Sequence, residues 1–301
     1  MSLFRTVDLA RLRNLMGKAR VNQFFIALDY PVHPRPRYGY GKPPHARLSH
    51  LIDARRASYK SLLESFLLYK SDIWKIEDSA GEDRRTPAWI NGFLTALDAA
   101  TLYGLIRLHR PRLYVEIGSG HSTRFARRAI EDQQLNTTIV SVDPHPRTEL
   151  RTIADRVIEQ PVEEMTLEVF ESLQSGDILF VDHSHRVFTN SDATVVFMDI
   201  LPKLNPGVLV QFHDIFLPSD YPPEWNDRYY SEQYLLACHL LAHTQSFDIL
   251  LANSFVSSDS ELSSIVADLW LHPAMKGVEK DGCSFWVQIK EPPASALPPL
   301  P

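Results

Sequence analysis

Residues 113–130 read LYVEIGSGHSTRFARRAI: a short run of strand formers, a turn bounded by Gly118 and Gly120, and a helix opening at Ser122. The same succession recurs outward from this stretch. TTIVSVD (137–143) precedes the helical pattern RTELRTIAD (147–155), and RVIEQ (156–160) precedes VEEMTLEVFESL (162–173). DILFVD (177–182) leads to a helix over 188–201, and VLVQFHD (208–214) follows it. The strands are nearly continuous apolar runs, as expected of parallel strands covered on both faces. Strand–helix alternation of this kind builds a doubly wound α/β sheet with right-handed crossovers. A leading helix, INGFLTALDAATLYGLIRLH (90–109), feeds the first strand.

The alternation ends after VLVQFHD. SEQYLLACHLLAH (231–243) reads as a helix, and FDILLAN (247–253) and CSFWVQIK (283–290) as strands, with the helical stretch ELSSIVADLWL (261–271) between them. The last strand is expected to enter antiparallel. The N-terminal 94 residues contain a Pro-dense segment, YPVHPRPRYGYGKPP (30–44), that no regular helix tolerates. A helix over 55–75 follows, with Leu62, Leu63, Phe66, Leu67 and Tyr69 on its apolar side. EDSAGEDRRTP (77–87) reads as a polar surface linker, and no clear strand ladder is expected within residues 1–94. The expected organisation is a helical and loop extension over 1–94, wrapped on a main domain over 95–290, and a Pro-rich tail over 291–301 that does not pack.

Ligands of open α/β sheets lie beyond the carboxyl ends of the strands, near the point where strand order reverses. Gly118 and Gly120 permit a tight turn and a close backbone approach, and Ser122 suits a helix cap. Thr123 stands where a dinucleotide fingerprint needs its third glycine, which disfavours a nicotinamide dehydrogenase. Asp143, ending the second strand, can accept both hydroxyl protons of a ribose, or can cap the turn after Pro144.

VEIGSGHST, SVDPHP, GDILFVDHSH and the late FHD together resemble the ordered motifs of class I S-adenosylmethionine-dependent methyltransferases, over about residues 95–290. The resemblance implies a Rossmann-like fold with a mostly parallel seven-stranded sheet closed by a reversed hairpin. It implies S-adenosylmethionine as cofactor, with its methionine part against Glu116, Gly118, Ser119, Gly120 and Ser122, its ribose on Asp143, and its adenine near Val162 and Glu163. His183 falls beside this set.

A second constellation, Asp182-His183-Ser184-His185 with His213-Asp214, is expected at the same rim of the sheet. Asp182, His213 and Asp214 offer two carboxylates and an imidazole, a donor set for magnesium, manganese or another divalent metal. The pattern is similar to that of catechol O-methyltransferase and of sugar and macrolide O-methyltransferases, whose acid-first pair is replaced here by His213-Asp214. Where the catechol enzyme has its lysine base, three residues after the first Asp, this chain has His185. An imidazole with its ordinary pKa near ~6.5 suits proton acceptance from a hydroxyl, while His183 and His185 could equally serve as hydrogen-bonding groups at the strand end. Asp182 and His185 are the expected catalytic pair.

The expected activity is methyl transfer to a hydroxyl of a small molecule, a sugar or a phenolic natural product. The alternatives are a catalytically silent cofactor-binding or assembly protein of the same fold, and an N-methyltransferase. Acceptor contacts are expected from Trp89, Asn91 and the loop IFLPSDYPPEWNDRYYSEQY (215–234), with Tyr221, Trp225, Tyr229 and Tyr230, or these aromatics form the core of a rigid loop. The segment 30–44 is a candidate lid. A net charge of −6 supplies no basic field for a nucleic-acid backbone, and Arg124, Arg127 and Arg128 read as the solvated face of one helix. Two cysteines, Cys238 and Cys283, exclude a disulfide framework. No apolar run reaches the ~18 residues of a membrane span and the N-terminus has no secretory pattern. A cytoplasmic protein with no membrane or nucleic-acid partner is expected, and a homo-oligomer is compatible with the sequence.

Overall fold

The computed structural model describes residues 30–79, 81, 83–242 and 246–291. The tail beyond residue 291 lies outside them, as do residues 1–29. The chain divides into two compact units, residues 1–35 and residues 36–301, and the second contains both sheets and every helix named below.

Its ten α-helices among the described residues are α1 (Ala46–Asp53), α2 (Arg56–Phe66), α3 (Lys70–Ile73), α4 (Ala96–His109), α5 (His121–Asp132), α6 (Glu168–Glu171), α7 (Asp192–Val195), α8 (Glu232–Leu241), α9 (Asn253–Ser258) and α10 (Ser260–Ile265). A two-stranded ladder pairs β1 (Glu77–Ser79) with β2 (Ala88–Ile90). The main sheet holds β3 (Leu113–Ile117), β4 (Thr138–Val142), β5 (Arg156–Ile158), β6 (Ile178–Val181), β7 (Leu209–Phe212), β8 (Phe247–Ala252) and β9 (Phe285–Ile289) in the order β5-β4-β3-β6-β7-β9-β8. Strands β5 to β7 pair parallel, and β9 runs antiparallel to both neighbours. Each of β3, β6 and β7 is buried along its whole length, as the unbroken apolar runs require. The chain leaves β3 toward β4 and β5, then returns to place β6 on the opposite side, so strand order reverses between β3 and β6. A crevice opens at their carboxyl ends for that reason.

The N-terminal helices share the main core. Leu48, Ile52, Tyr59, Leu63 and Phe66 join the apolar cluster that includes the sheet, and the compact-unit boundary falls after residue 35 rather than residue 94. α4 is buried on every side from Ala96 to Ile106, because α5 packs on it and α2 covers it as well. At the α2 crossing a Cβ on Gly104 would sit 2.3 Å from the Phe66 ring, so glycine is what lets the two helices meet. Ion pairs from Arg56 to Asp259 and Glu261 fasten α2 to α10.

Several local expectations are corrected. β1 and β2 pair parallel, so the polar stretch after α3 carries a short ladder where a plain linker was expected. The helix expected over 188–201 begins at Asp192 and passes into a π-turn over Val196–Ile200, then a 3-10 turn containing Pro202. Proline has no N–H for an i−4 carbonyl, and the helix rearranges around that missing bond. The stretches 147–155 and 162–173 yield only short turns of helix, being too short to sustain one alone. Arg124 is buried rather than solvated, and pairs with Glu149 at 3.1 Å.

Candidate functional site

The turn after β3 is built around Gly118. Its φ of +84° lies in the left-handed region, and a Cβ there would fall 1.8 Å from the carbonyl oxygen of Asp182. Only glycine lets the first turn lie this close to the end of β6. Next in the chain, Ser119 donates its backbone N–H to Asp143 Oδ2 at 3.0 Å, and its hydroxyl bonds the same oxygen. The other oxygen, Oδ1, accepts the His145 N–H at 2.7 Å. Asp143 is thereby fixed at the end of β4, and a carboxylate retains acceptor capacity beyond these bonds.

Between these turns lies a cleft of about 350 Å³, lined by Gly118, Ser119, Asp143, Val162, Glu163 and His183 together with Pro144, Asp182, Ser184 and Asp192 among others. A cleft of this size falls in the range of small-molecule sites. It gathers six of the nine residues expected to bind cofactor. Glu116, Gly120 and Ser122 do not line it. Glu116 is fully buried behind the turn, accepting the hydroxyls of Thr123 at 2.6 Å and of Ser122 and Tyr114 at 3.3 Å. Burial pushes its carboxyl up to about 7 in spite of those donors. Ser122 is thus engaged with Glu116 beneath the turn.

The far end of the cleft is ionic. His185, held at φ +58°, is buried, with Nδ1 2.9 Å from Glu232 Oε2 and Nε2 3.2 Å from Asp182 Oδ1. Its Nε2 also lies 3.5 Å from Asp214 Oδ2. Burial works to lower this imidazole's pKa, but the hydrogen bonds and charges of Asp182 and Glu232 outweigh it and hold the group well above its ordinary value. Both ring nitrogens of His185 are thereby engaged by carboxylates. Burial likewise works to raise Asp182, yet the neighbouring His213 and His185 hold its carboxyl down at about 2. The Asp182 side chain keeps 42% of its surface open, toward the cleft. His183 Nδ1 accepts the His185 backbone N–H at 3.2 Å, and its Nε2 faces Glu232 Oε1 at 3.3 Å without an aligned hydrogen bond. Ser184 is fixed by Asp192, which accepts its N–H at 2.9 Å and its hydroxyl at 2.6 Å.

The expected metal set does not close on a common point. The His185 imidazole stands between the Asp182 and Asp214 carboxylates. His213 turns its Nε2 to Asp214 Oδ1, 3.7 Å away. A magnesium ion, which takes oxygen ligands in a near-octahedral shell, does not fit between these two carboxylates where the His185 ring already spans them. Among the described residues, the donors that do converge within 4.8 Å are Asp98 with His213 and Cys283, and His183 with His185 and Glu232.

Other expected contacts fall elsewhere. Trp89 is buried against Phe125, ring centroids 5.1 Å apart, and the Asn91 side chain caps the N–H groups of Phe93 and Leu94. Tyr221 is buried, its hydroxyl accepting the Gln233 N–H, and Trp225 and Tyr230 pack into the same aromatic cluster. Of this loop, Tyr230 reaches the ionic end, its ring 4.7 Å from that of His185. Segment 36–45 is tied down: Asp220 Oδ2 accepts the N–H groups of Arg37 and Tyr38, and the His45 N–H bonds the Pro218 carbonyl at 2.9 Å. Sequence reasoning missed Asp192, Glu232, Asp98 and Cys283. Asp98 had a signal, an acid inside the otherwise apolar helix ALDAATLYGL. Glu232 had none, since nothing local shows that the start of α8 meets the end of β6.

Residues 115–215 match a family described as a methyltransferase domain. No curated protein matches the chain. Among solved structures, the chain is similar to the SAH-bound methyltransferase PaMTH1 of Podospora anserina, at 15% identity and TM-score 0.41, over 84% of this chain and 100% of that one. It is also similar to a putative O-methyltransferase from Klebsiella pneumoniae, at 13% identity and TM-score 0.39, over 81% of this chain and 100% of that one. The O-methyltransferase of Bacillus cereus in complex with SAH gives 12% identity and TM-score 0.39 over 81% and 100% of the two chains.

Proposed function

We propose that this chain, which carries a methyltransferase domain over residues 115–215, transfers a methyl group from S-adenosylmethionine to a hydroxyl oxygen of a small molecule. The observation that carries the reading is one cleft lined together by the glycine turn, Asp143 and Asp182. The residues present fit the cofactor. Gly118 keeps the turn open to a ligand's approach, Asp143 offers a fixed carboxylate to a pair of ribose hydroxyls, and Val162 and Glu163 flank the place of a purine. Bound there, the cofactor supplies an electrophilic methyl on a sulfonium.

The chain's own part is positioning and electrostatics. Asp182 accepts the hydrogen bond of the acceptor hydroxyl and aims its oxygen into the cleft. As positive charge grows on that oxygen, the fixed carboxylate stabilises it, and the proton then leaves to solvent. His185 is a positioning residue: clamped by Glu232 at Nδ1, it holds the Asp182 carboxylate in one orientation through Nε2. A sugar or phenol suits the acceptor side, where Tyr230 adds an aromatic face beside His185. No step is assigned to magnesium.

Calorimetric titration of S-adenosylhomocysteine into the full chain tests the cofactor site. Micromolar binding, weakened at least tenfold in Asp143→Ala because hydrogen bonds to a charged group contribute about 1.5–3 kcal/mol each, is the expected result, with the same affinity in magnesium and in chelator. Absence of binding to the wild type would overturn the proposal. With labelled S-adenosylmethionine and a panel of sugars and phenols, Asp182→Asn is expected to lower kcat while leaving the affinity for S-adenosylhomocysteine unchanged.

A further inference from the structure

We infer that Asp98, His213, Asp214 and Cys283 form a closed transition-metal site, suited to zinc, that adjoins the ionic end of the cleft through Asp214 and locks three segments of the fold together. The four donors come from α4, from the turn after β7 and from the residues leading into β9. Asp98, His213 and Cys283 each present one donor atom within 4.8 Å of the others. Ligands held by a single ion at ~2.0–2.3 Å cannot lie much farther apart than this. The individual spacings are sharper. Cys283 Sγ is 3.6 Å from Asp98 Oδ2 and 3.4 Å from Asp214 Oδ1, and His213 Nε2 is 3.7 Å from the same Asp214 oxygen. Tetrahedral zinc, with bonds of about 2.3 Å to sulfur and about 2.0–2.1 Å to nitrogen and oxygen, separates sulfur from oxygen by about 3.5 Å and nitrogen from oxygen by about 3.3 Å. These three spacings are close to bonding distances; Asp98, His213 and Cys283 converge as a set, and Asp214 joins them through Cys283 and His213.

The supports around the donors match a ligating role. Asp98 is buried, its Oδ1 accepting the Ser284 N–H at 2.8 Å and hydroxyl at 2.6 Å and the Asn253 amide at 2.8 Å, while its Oδ2 accepts the Cys283 N–H at 2.9 Å and the Thr95 hydroxyl at 3.0 Å. Gly282 makes this closure feasible, since a Cβ there would lie 2.6 Å from Asp98 Oδ1. His213 is backed at Nδ1 by the Gln211 side-chain amide, 3.2 Å away. With a metal on Nε2 the Nδ1–H must donate, which requires the Gln211 amide to turn over and release the Val181 N–H that its oxygen accepts at 3.3 Å. The set is mixed sulfur, nitrogen and oxygen, which favours zinc, or cobalt in its place, over magnesium. Four protein donors leave no open position, the mark of a structural ion rather than a catalytic one. Binding converts the Cys283 thiol to a thiolate and releases its proton to solvent.

Cobalt(II) titration of the full chain, purified in chelator, is the test. A near-ultraviolet thiolate-to-cobalt charge-transfer band should appear with intense visible bands of tetrahedral cobalt, saturate at one equivalent and be displaced by zinc. The charge-transfer band should vanish in Cys283→Ser and persist in Cys238→Ser, which alters the other, exposed cysteine. Zinc should raise the thermal midpoint of the wild type and of Asp182→Ala, and lose at least a hundredfold in affinity in Cys283→Ser. X-ray absorption of the zinc-loaded wild type should show one sulfur among four light ligands, a readout that stands even if the serine variant folds poorly. A band absent from the wild type, or one that survives in Cys283→Ser, overturns the assignment, as does a zinc shell lacking sulfur. Each outcome is independent of S-adenosylhomocysteine binding.

Discussion

Gly118 shows how one missing side chain shapes the site. Any other residue there would have to hold φ near +84° and push its Cβ into the Asp182 carbonyl 1.8 Å away. The left-handed conformation costs about 1–2 kcal/mol for an L-residue and overpacking a further 1–3. Gly118→Ala is therefore expected to lose about 2–5 kcal/mol in urea unfolding. The acid two residues earlier makes a prediction of opposite character. Glu116 titrates at about 7 in the folded chain against 4.5 as its ordinary value, because burial disfavours its charge. Between those two pH values the folded state keeps a proton that the unfolded state has released, so stability falls as pH rises from 4.5 to 7. At 1.36 kcal/mol per pH unit this amounts to about 3 kcal/mol. Glu116→Gln, which keeps the shape and removes the titration, should gain on the wild type across that window, as urea midpoints between pH 5 and 8 would measure. A wild type and variant that run parallel in pH would exclude the raised carboxyl.

At the scale of elements, the loop after β7 acts through what it binds. Asp220 accepts the N–H groups of Arg37 and Tyr38 and, through Oδ1, the Tyr234 hydroxyl at 3.0 Å. One carboxylate thus joins the Pro-dense segment, the loop and α8. Asp220→Ala leaves these donors unpaired at about 1–3 kcal/mol, and hydrogen exchange at residues 37–45 should accelerate while exchange in β3 and β6 stays slow. Unchanged exchange at 37–45 would show that the segment is held by other means. The arginines of α5 make a related point. Their i, i+3 and i+4 spacing reads as one solvated face, yet Arg124 lies buried against Glu149. The partner follows β4, twenty-five residues on, where helix periodicity carries no information.

For the molecule as a whole, residues 36–94 are structural members of the main unit. Leu48, Ile52, Tyr59, Leu63 and Phe66 are buried in the core shared with the sheet. At about 1.5–3 kcal/mol for each large apolar side chain removed from water, their loss would amount to about 10 kcal/mol, comparable with the whole stability of a typical domain. A chain cut to residues 95–301 should therefore fail to unfold cooperatively in a thermal scan and should aggregate. A soluble fragment with a sharp transition would refute this. No helix among the described residues is long and apolar enough to cross a membrane.

What the sequence determined by itself was the architecture. Strand-length apolar runs alternating with helices have few ways to bury both faces of each strand, so parallel order and a crevice at the strand ends were legible. The glycine turn and Asp143 were legible too, because both follow directly from a strand end. Tertiary structure alone decided the chemistry of the ionic end. His185 follows the same strand as Asp182, which suggests a free imidazole, and only the meeting with Glu232, forty-seven residues away, clamps the ring at both nitrogens. His213 and Asp214 likewise look like partners of Asp182, but helix α4 and the approach to β9 bring Asp98 and Cys283 to them instead. Periodicity reports which side of an element is buried. Which charges share that burial depends on packing between segments far apart in the chain.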